Sequence, residues 1–274
     1  MVHAVKANGA EIPALGLGTW DLRGRVCEEC VDFALSLGYR HIDTAAMYDN
    51  EAEVGRAIRA SSVPREEIFL TTKVWYDNAA FGPFQRSVEA SLGRLGLDYV
   101  DLVLIHWPDP ETPVEETMRA LSDVKARGWT RHVGVSNYTV ALLEEAVRTS
   151  TEPLVTNQVE YHPYLDQAPV LEACRAHGMS LTAYSPLAKG RVFADPVLQE
   201  IGHAHGKSAG QVALRWLIQQ PQVIAIPRSS KHEHIRSAFE IWDFTLSDAE
   251  MDRISALGTP QGRMVNFDFS PRWD

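Results

Sequence analysis

Residues 99–137 read YVDLVLIHWPDPETPVEETMRALSDVKARGWTRHVGVSN, and the alternation inside this stretch decides the fold. Tyr99–Ile105 is a short, largely apolar and β-branched run that stops at the polar His106, as a buried parallel strand does. Val114–Arg127 follows with helical spacing, and His132–Val135 is a second short apolar run. A strand, a helix and a strand in that order make a βαβ unit. The same alternation continues outward on both sides. Strand-like runs occur at Leu15–Leu17, Arg40–Ile42 and Ile68–Lys73, and then at Val155–Val159, Ser180–Tyr184 and Val223–Ile226. Helical spacing fills the intervals at Arg25–Leu37, Glu51–Ala60, Phe84–Arg94, Leu142–Arg148, Pro169–His177, Ser208–Gln219 and His232–Phe239. Eight strand–helix units without a low-complexity linker predict an α/β fold, a single (β/α)8 TIM barrel spanning 1–274 as one domain.

Two additions flank the barrel. Val2–Val5 and Glu11–Pro13 around Asn8-Gly9 predict an N-terminal β-hairpin, because Asn-Gly favours a tight turn. Ser247–Leu257 predicts an added C-terminal helix, with Ser247 and Glu250 spaced as a capping box. The remaining tail, residues 258–274, carries Phe267, Phe269 and Trp273 without periodicity and is read as a loop able to cover a pocket.

The composition is that of a globular protein, 45% apolar and 23% charged, with a formal net charge of −10. No lysine or arginine cluster interrupts the acidic balance, which argues against nucleic acid and anionic membranes as partners. Any anion site must be local. The N-terminus lacks a signal-peptide layout, and no apolar run approaches the roughly 20 residues of a membrane span. Three cysteines form no even disulfide framework, so a cytoplasmic location is expected. Cys27 and Cys30 lie in a helical stretch and are read as two half-buried thiols rather than a redox or metal pair. A full barrel with a short tail is expected to act as a monomer.

In barrels of this kind chemistry sits at the carboxyl ends of the strands. Reading the end of each run gives Thr19-Trp20, Asp43, Lys73, His106, Ser136-Asn137, Gln158, Tyr184-Ser185 and Arg228-Ser229. One polar strand end means little; so many on one rim form a site. Asp43, Tyr48, Lys73 and His106 make a first group. A free tyrosine, with a pKa near 10, is a poor acid at neutral pH unless a cation lowers it. Lys73 supplies the cation, Asp43 holds and balances it, and His106 orients a carbonyl oxygen toward Tyr48. Such a set delivers a proton to a developing alkoxide. Two competing readings are a Schiff-base lyase using Lys73 and a non-catalytic barrel that only binds a cofactor.

The motifs G-L-G-T-W at 16–20, H-I-D-T-A-x-x-Y at 41–48, T-T-K-V-W at 71–75, L-I-H-W-P at 104–108, G-V-S-N-Y at 134–138, N-Q-V-E-Y-H-P at 157–163 and A-Y-S-P-L at 183–187 resemble the aldo-keto reductase family in order and over nearly the whole chain. Length and pattern resemble its short bacterial members, such as the 2,5-diketo-gluconate reductases. The resemblance implies NAD(P)H-dependent reduction of an aldehyde or ketone, with Tyr48 as general acid, Asp43 and Lys73 as its tuning pair and His106 as orienting residue.

It further implies a nicotinamide cofactor touching Gly18, Thr19 and Trp20, its carboxamide on Ser136, Asn137 and Gln158, its ring on Tyr184, and its pyrophosphate along Ser185, Leu187 and Gly190. Arg228, Ser229 and Lys231 come to the start of the last barrel helix, a suitable phosphate site that favours NADPH. At His234 the family usually carries arginine. A largely neutral histidine holds a 2′-phosphate less strongly, so NADH is also admitted. Trp20, Trp75, His106 and Trp107 follow strand ends and are expected to line the pocket for a small carbonyl substrate. The remaining histidines have no metal-ligand spacing, and no metal site is expected.

Overall fold

The computed structural model describes residues 3–274. Strands β1 (Ala4–Ala7) and β2 (Ala10–Pro13) pair antiparallel, turning through Asn8 and Gly9 at φ 44° and 86°. Both angles are left-handed, as a two-residue Asn-Gly hairpin needs. The expected first hairpin strand, Val2–Val5, begins at Val2, outside the described residues; the paired segment runs from Ala4. Ala10 and Ile12 pack with Phe69, Leu102, Val155 and Ile224, so the hairpin closes one end of the barrel with apolar side chains.

The remaining strands are β3 (Leu17–Gly18), β4 (His41–Asp43), β5 (Phe69–Val74), β6 (Val100–Ile105), β7 (Thr130–Ser136), β8 (Leu154–Glu160), β9 (Ser180–Tyr184) and β10 (Val223–Ala225). They pair in sequence order, all parallel, in one eight-stranded sheet. Closure follows at the seam: Gly16 N donates to Ala225 O at 2.9 Å, and Gly18 N to Pro227 O at 3.0 Å. A Cβ on Gly18 would sit 2.9 Å from the Ile226 carbonyl oxygen, so the strand meets its partner only because position 18 has no side chain. Every residue of β5, β6 and β8 is buried, polar ones such as Lys73, Asp101, Gln158 and Glu160 included, so these strands show no alternation between a buried and an exposed face.

Helices α1 (Gly24–Leu37), α2 (Glu51–Ala60), α3 (Pro83–Leu95), α4 (Val114–Ala126), α5 (Val140–Thr149), α6 (Ala168–Ala176), α7 (Pro196–His205), α8 (Ala209–Gln219) and α9 (His232–Phe239) accompany the strands. Helix α10 (Asp248–Ser255) is the expected addition, with Ser247 N donating to Glu250 Oε2 at 2.7 Å in a capping box. Helix α7 was not anticipated. Its local signal is the Asp195-Pro196 pair: the Asp195 carboxylate accepts from Val197 N and Leu198 N at 2.9 and 3.2 Å, and proline starts the first turn.

Beyond α10 the chain returns to the barrel mouth. Thr259 bridges to Leu165, and at Gly262 a Cβ would lie 1.6 Å from the Tyr164 carbonyl oxygen. Only glycine permits that approach, and it turns the tail across the carboxyl ends of the strands.

Candidate active site

Register places the first group. In β4 and β5, Asp43 lies opposite Thr71, and Lys73 is two residues further along the same face. Tyr48 reaches the same spot from the 3₁₀ turn Ala46–Tyr48, whose end is anchored where Arg23 Nη1 donates to the Tyr48 carbonyl oxygen at 2.6 Å. Lys73 Nζ donates to Asp43 Oδ1 at 2.5 Å, to Thr44 O at 2.9 Å and to Tyr48 Oη at 3.2 Å. All three ammonium donors are therefore used. Lys73 is 0% and Asp43 1% exposed, and charges so buried persist only when paired and hydrogen-bonded.

Burial pushes the Tyr48 pKa up, and this outweighs the Lys73 charge and hydrogen bond, which pull it down. The lysine thus acts in the expected direction, but the net shift is upward. Burial disfavours the charged form of Lys73, yet Asp43 and Tyr48 more than compensate, and its pKa is raised. His106 is held well below its ordinary value by burial and by Lys73. It is neutral near pH 7, with one N–H to offer. Its Nδ1 is buried without a hydrogen-bond partner, and its ring stands edge-on to Tyr48 and Trp75 at centroid distances of 5.5 and 5.1 Å. Asp43, Lys73 and His106 from strand ends and Tyr48 from the turn after β4 are brought together.

The expected cofactor residues form a second, contiguous band, and nearly all are already bonded within the protein. Ser136 Oγ donates to Gln158 O at 2.7 Å. Asn137 Nδ2 donates to His106 O at 3.0 Å, while its Oδ1 accepts from Tyr184 Oη at 2.8 Å. Gln158 Nε2 donates to Asp43 Oδ2 at 2.8 Å. Thr19 Oγ1 is committed to Asp43 O at 3.0 Å, and Gly18 serves the barrel seam. Ser185, Ala188, Lys189 and Gly190 all have positive φ, which turns the backbone after β9 into a tight loop carrying Leu187.

The phosphate group is more dispersed. Arg228 is engaged with the loop after β3: its Nε donates to Trp20 O and its Nη2 to Asp21 O, each at 2.9 Å. Ser229 Oγ accepts from Lys231 N at 3.1 Å ahead of α9. His234 lies 3.7 Å from Glu233 with its side chain 60% exposed.

The aromatic pocket gains a wall that the expectation only touched upon. Trp20 is 51% exposed and edge-on to Tyr48 at 5.0 Å. Trp107 is buried under the tail, its ring 5.6, 5.5 and 5.9 Å from those of Phe267, Phe269 and Trp273. Phe269 stacks on Tyr76 at 4.4 Å and meets Trp75 edge-on at 5.7 Å. The Arg263 guanidinium carbon lies over the Trp273 ring, 3.6 Å from its centroid. Glu160, unremarked in the sequence, fastens this wall: its fully buried carboxylate accepts from Met264 N and Val265 N, each at 2.9 Å, and pairs with His162 at 3.0 Å. Its signal was strand length, since β8 runs two residues past Gln158 and ends at Glu160.

Cys27 and Cys30 are buried in α1, and burial pushes the Cys27 thiol up to about 12. His177 and His205 pair with Glu144 and Glu250 at 2.9 and 2.8 Å. Among the described residues no group of three or more His, Cys, Asp or Glu is arranged to hold a metal ion. No described helix is long and apolar enough to cross a membrane.

Residues 14–259 match the profile of the aldo/keto reductase family. The chain is 40% identical to the methylglyoxal reductase DkgB of Salmonella typhimurium, covering 96% of this chain and 99% of that protein. It is 43% identical to a glyoxal reductase of Bacillus subtilis, covering 91% and 90%. A crystal structure provisionally assigned as a 2,5-diketo-D-gluconic acid reductase B superposes with a TM-score of 0.98 at 50% identity, covering 100% of this chain and 98% of that one. The chain belongs to the aldo/keto reductase family, and is an oxidoreductase acting on carbonyl groups.

Proposed function

We propose that the protein reduces small aldehydes and ketones to alcohols with NAD(P)H, and that Tyr48 is the proton donor. The observation carrying this is the Lys73 ammonium, held between Asp43 Oδ1 at 2.5 Å and Tyr48 Oη at 3.2 Å at the mouth of the barrel. The neutral His106 ring donates a hydrogen bond to the substrate carbonyl oxygen and turns it toward the Tyr48 hydroxyl. Tyr48 passes its proton to that oxygen as negative charge develops there. Lys73 then stabilises the phenolate left behind, and Asp43 keeps the ammonium in place. Lys73 opposes the burial that makes the phenol a weak acid.

The residues present fit a nicotinamide cofactor. Gln158 keeps its Oε1 for a carboxamide after giving Nε2 to Asp43, Tyr184 offers a ring face, and Ser185, Leu187 and Gly190 line the loop for a pyrophosphate. When bound, the reduced ring supplies hydride to the carbonyl carbon. Arg228, Ser229, Lys231 and His234 would take a 2′-phosphate, which favours NADPH while leaving NADH usable. The aromatic wall of Trp20, Trp75 and Trp107 suits compact substrates, and the named relatives support 2-oxoaldehydes of the methylglyoxal and glyoxal type. The protein works as a single-domain monomer in the cytoplasm, a location with which three free cysteines, all buried, accord. A Schiff base on Lys73 is disfavoured, because all three of its donors are used and its pKa is raised.

The test is Tyr48→Phe. Cofactor binding, followed by tryptophan fluorescence, should stay near wild type while kcat for methylglyoxal reduction falls by about 10²–10⁴. Activity within threefold of wild type removes Tyr48 from the role.

A further inference from the structure

The geometry points to Gln158 as a positioning residue for the proton relay: its amide holds the second oxygen of Asp43 and thereby links the carboxamide end of the cofactor site to Tyr48. This rests on the proposed role of Tyr48.

Asp43 has two carboxylate oxygens and two side-chain partners. Oδ1 takes Lys73 at 2.5 Å, and Oδ2 takes Gln158 Nε2 at 2.8 Å, from a residue 115 positions away across the barrel. Asp43 and Gln158 are both at most 2% exposed, so water does not substitute easily for either contact. Gln158 is itself fixed, because its backbone carbonyl accepts from Ser136 Oγ at 2.7 Å and from Asn137 N at 2.9 Å.

An amide N–H donated to a carboxylate disperses part of its charge. Without it Asp43 binds the Lys73 proton more tightly, less of the ammonium field reaches Tyr48, and the phenolate is harder to form. The other titratable groups around the relay are His41 on β4, His106 after β6 and Tyr184 on β9. His106 and Tyr184 are neutral near pH 7, because burial pushes the first well below its ordinary value and the second well above. Burial lowers His41 as well. None of the three offers Asp43 a hydrogen bond to replace that of Gln158. Gln158 Oε1 remains for the carboxamide, so one side chain serves both sites.

The variants to compare are Gln158→Met, close in size but without a donor, and Asn137→Ala, which alters the same carboxamide band without touching Asp43. Both should weaken NADPH binding. Only Gln158→Met should move the rising limb of the pH profile for alcohol oxidation, which needs the phenolate, upward by about half to one pH unit. In the cofactor-free protein, ¹³C NMR of carboxyl-labelled aspartate should show the Asp43 signal shifted in Gln158→Met and unshifted in Asn137→Ala, with Asp43→Asn giving the assignment. An unmoved limb with an unmoved Asp43 signal overturns the inference, as do equal shifts in both variants. Loss of the Tyr48 role is separately visible as retained activity in Tyr48→Phe.

Discussion

At the residue scale the relay is a contest between burial and charge. Burial raises the Tyr48 pKa, and Lys73 opposes that rise. Replacing Lys73 by methionine removes the opposing effect, so the pKa climbs further. With Tyr48 in its proposed role, reduction uses the phenol and oxidation the phenolate. Lys73→Met should therefore slow reduction by weakening the acid, and shift the onset of alcohol oxidation to higher pH. Paired pH–rate profiles of both directions check the sign, and unchanged profiles would assign Lys73 to structure alone. His234 is a contest of another kind. Its side chain is 60% exposed beside Glu233, so an arginine there gains what a solvent-screened pair gains, roughly 0.5–1.5 kcal/mol. His234→Arg should tighten NADPH binding about three- to tenfold and leave NADH unchanged, having no 2′-phosphate to meet. Parallel dissociation constants at fixed salt decide this, and equal changes for the two cofactors would mean that position 234 does not face the phosphate.

At the element scale the tail is held by β8 rather than by its own propensity. Residues 263–274 form no helix or strand; their order comes from aromatic packing on Trp75, Tyr76 and Trp107 and from two backbone N–H groups on Glu160. Glu160→Ala leaves those donors and His162 without their acceptor, at a cost of about 2 kcal/mol. The expected outcome is faster proteolysis within the tail and a higher KM for aldehydes with apolar bodies, with kcat less affected. Limited digestion followed by mass spectrometry, alongside KM and kcat, measures both. A tail as resistant as in wild type would show that the aromatic contacts suffice.

At the scale of the whole molecule the barrel closes where β3 meets the segment after β10, and at Gly18 a side chain would meet the backbone of that segment. Gly18→Ala places a methyl against a backbone oxygen that no rotamer change can move, so the urea midpoint should fall by an amount equivalent to about 1–3 kcal/mol. A midpoint equal to wild type would mean that the seam relaxes freely. Closure also separates what was legible from what was not. The stretch 99–137 announced a strand, a helix and a strand because burial on both faces writes a continuous apolar run and burial on one face of a helix writes its period; both patterns are local. Polar strand ends named Asp43, Lys73, His106 and Gln158 for the same reason, since each marks where one segment leaves the core. What each polar atom bonds to was not local. The Gln158–Asp43 contact, the commitment of Arg228 to the Trp20–Asp21 loop and the Glu160 anchor of the tail join residues 115, 207 or 208, and 104 or 105 positions apart. The net upward shift of Tyr48 depends on how completely the barrel mouth removes water from it. The sequence alone determined the alternation and the chemistry at the rim, because chain geometry sets the first and residue type the second. Partner choice and acidity were left to the closed structure, because both depend on register and exclusion of water, which exist only once the first and last strands have met.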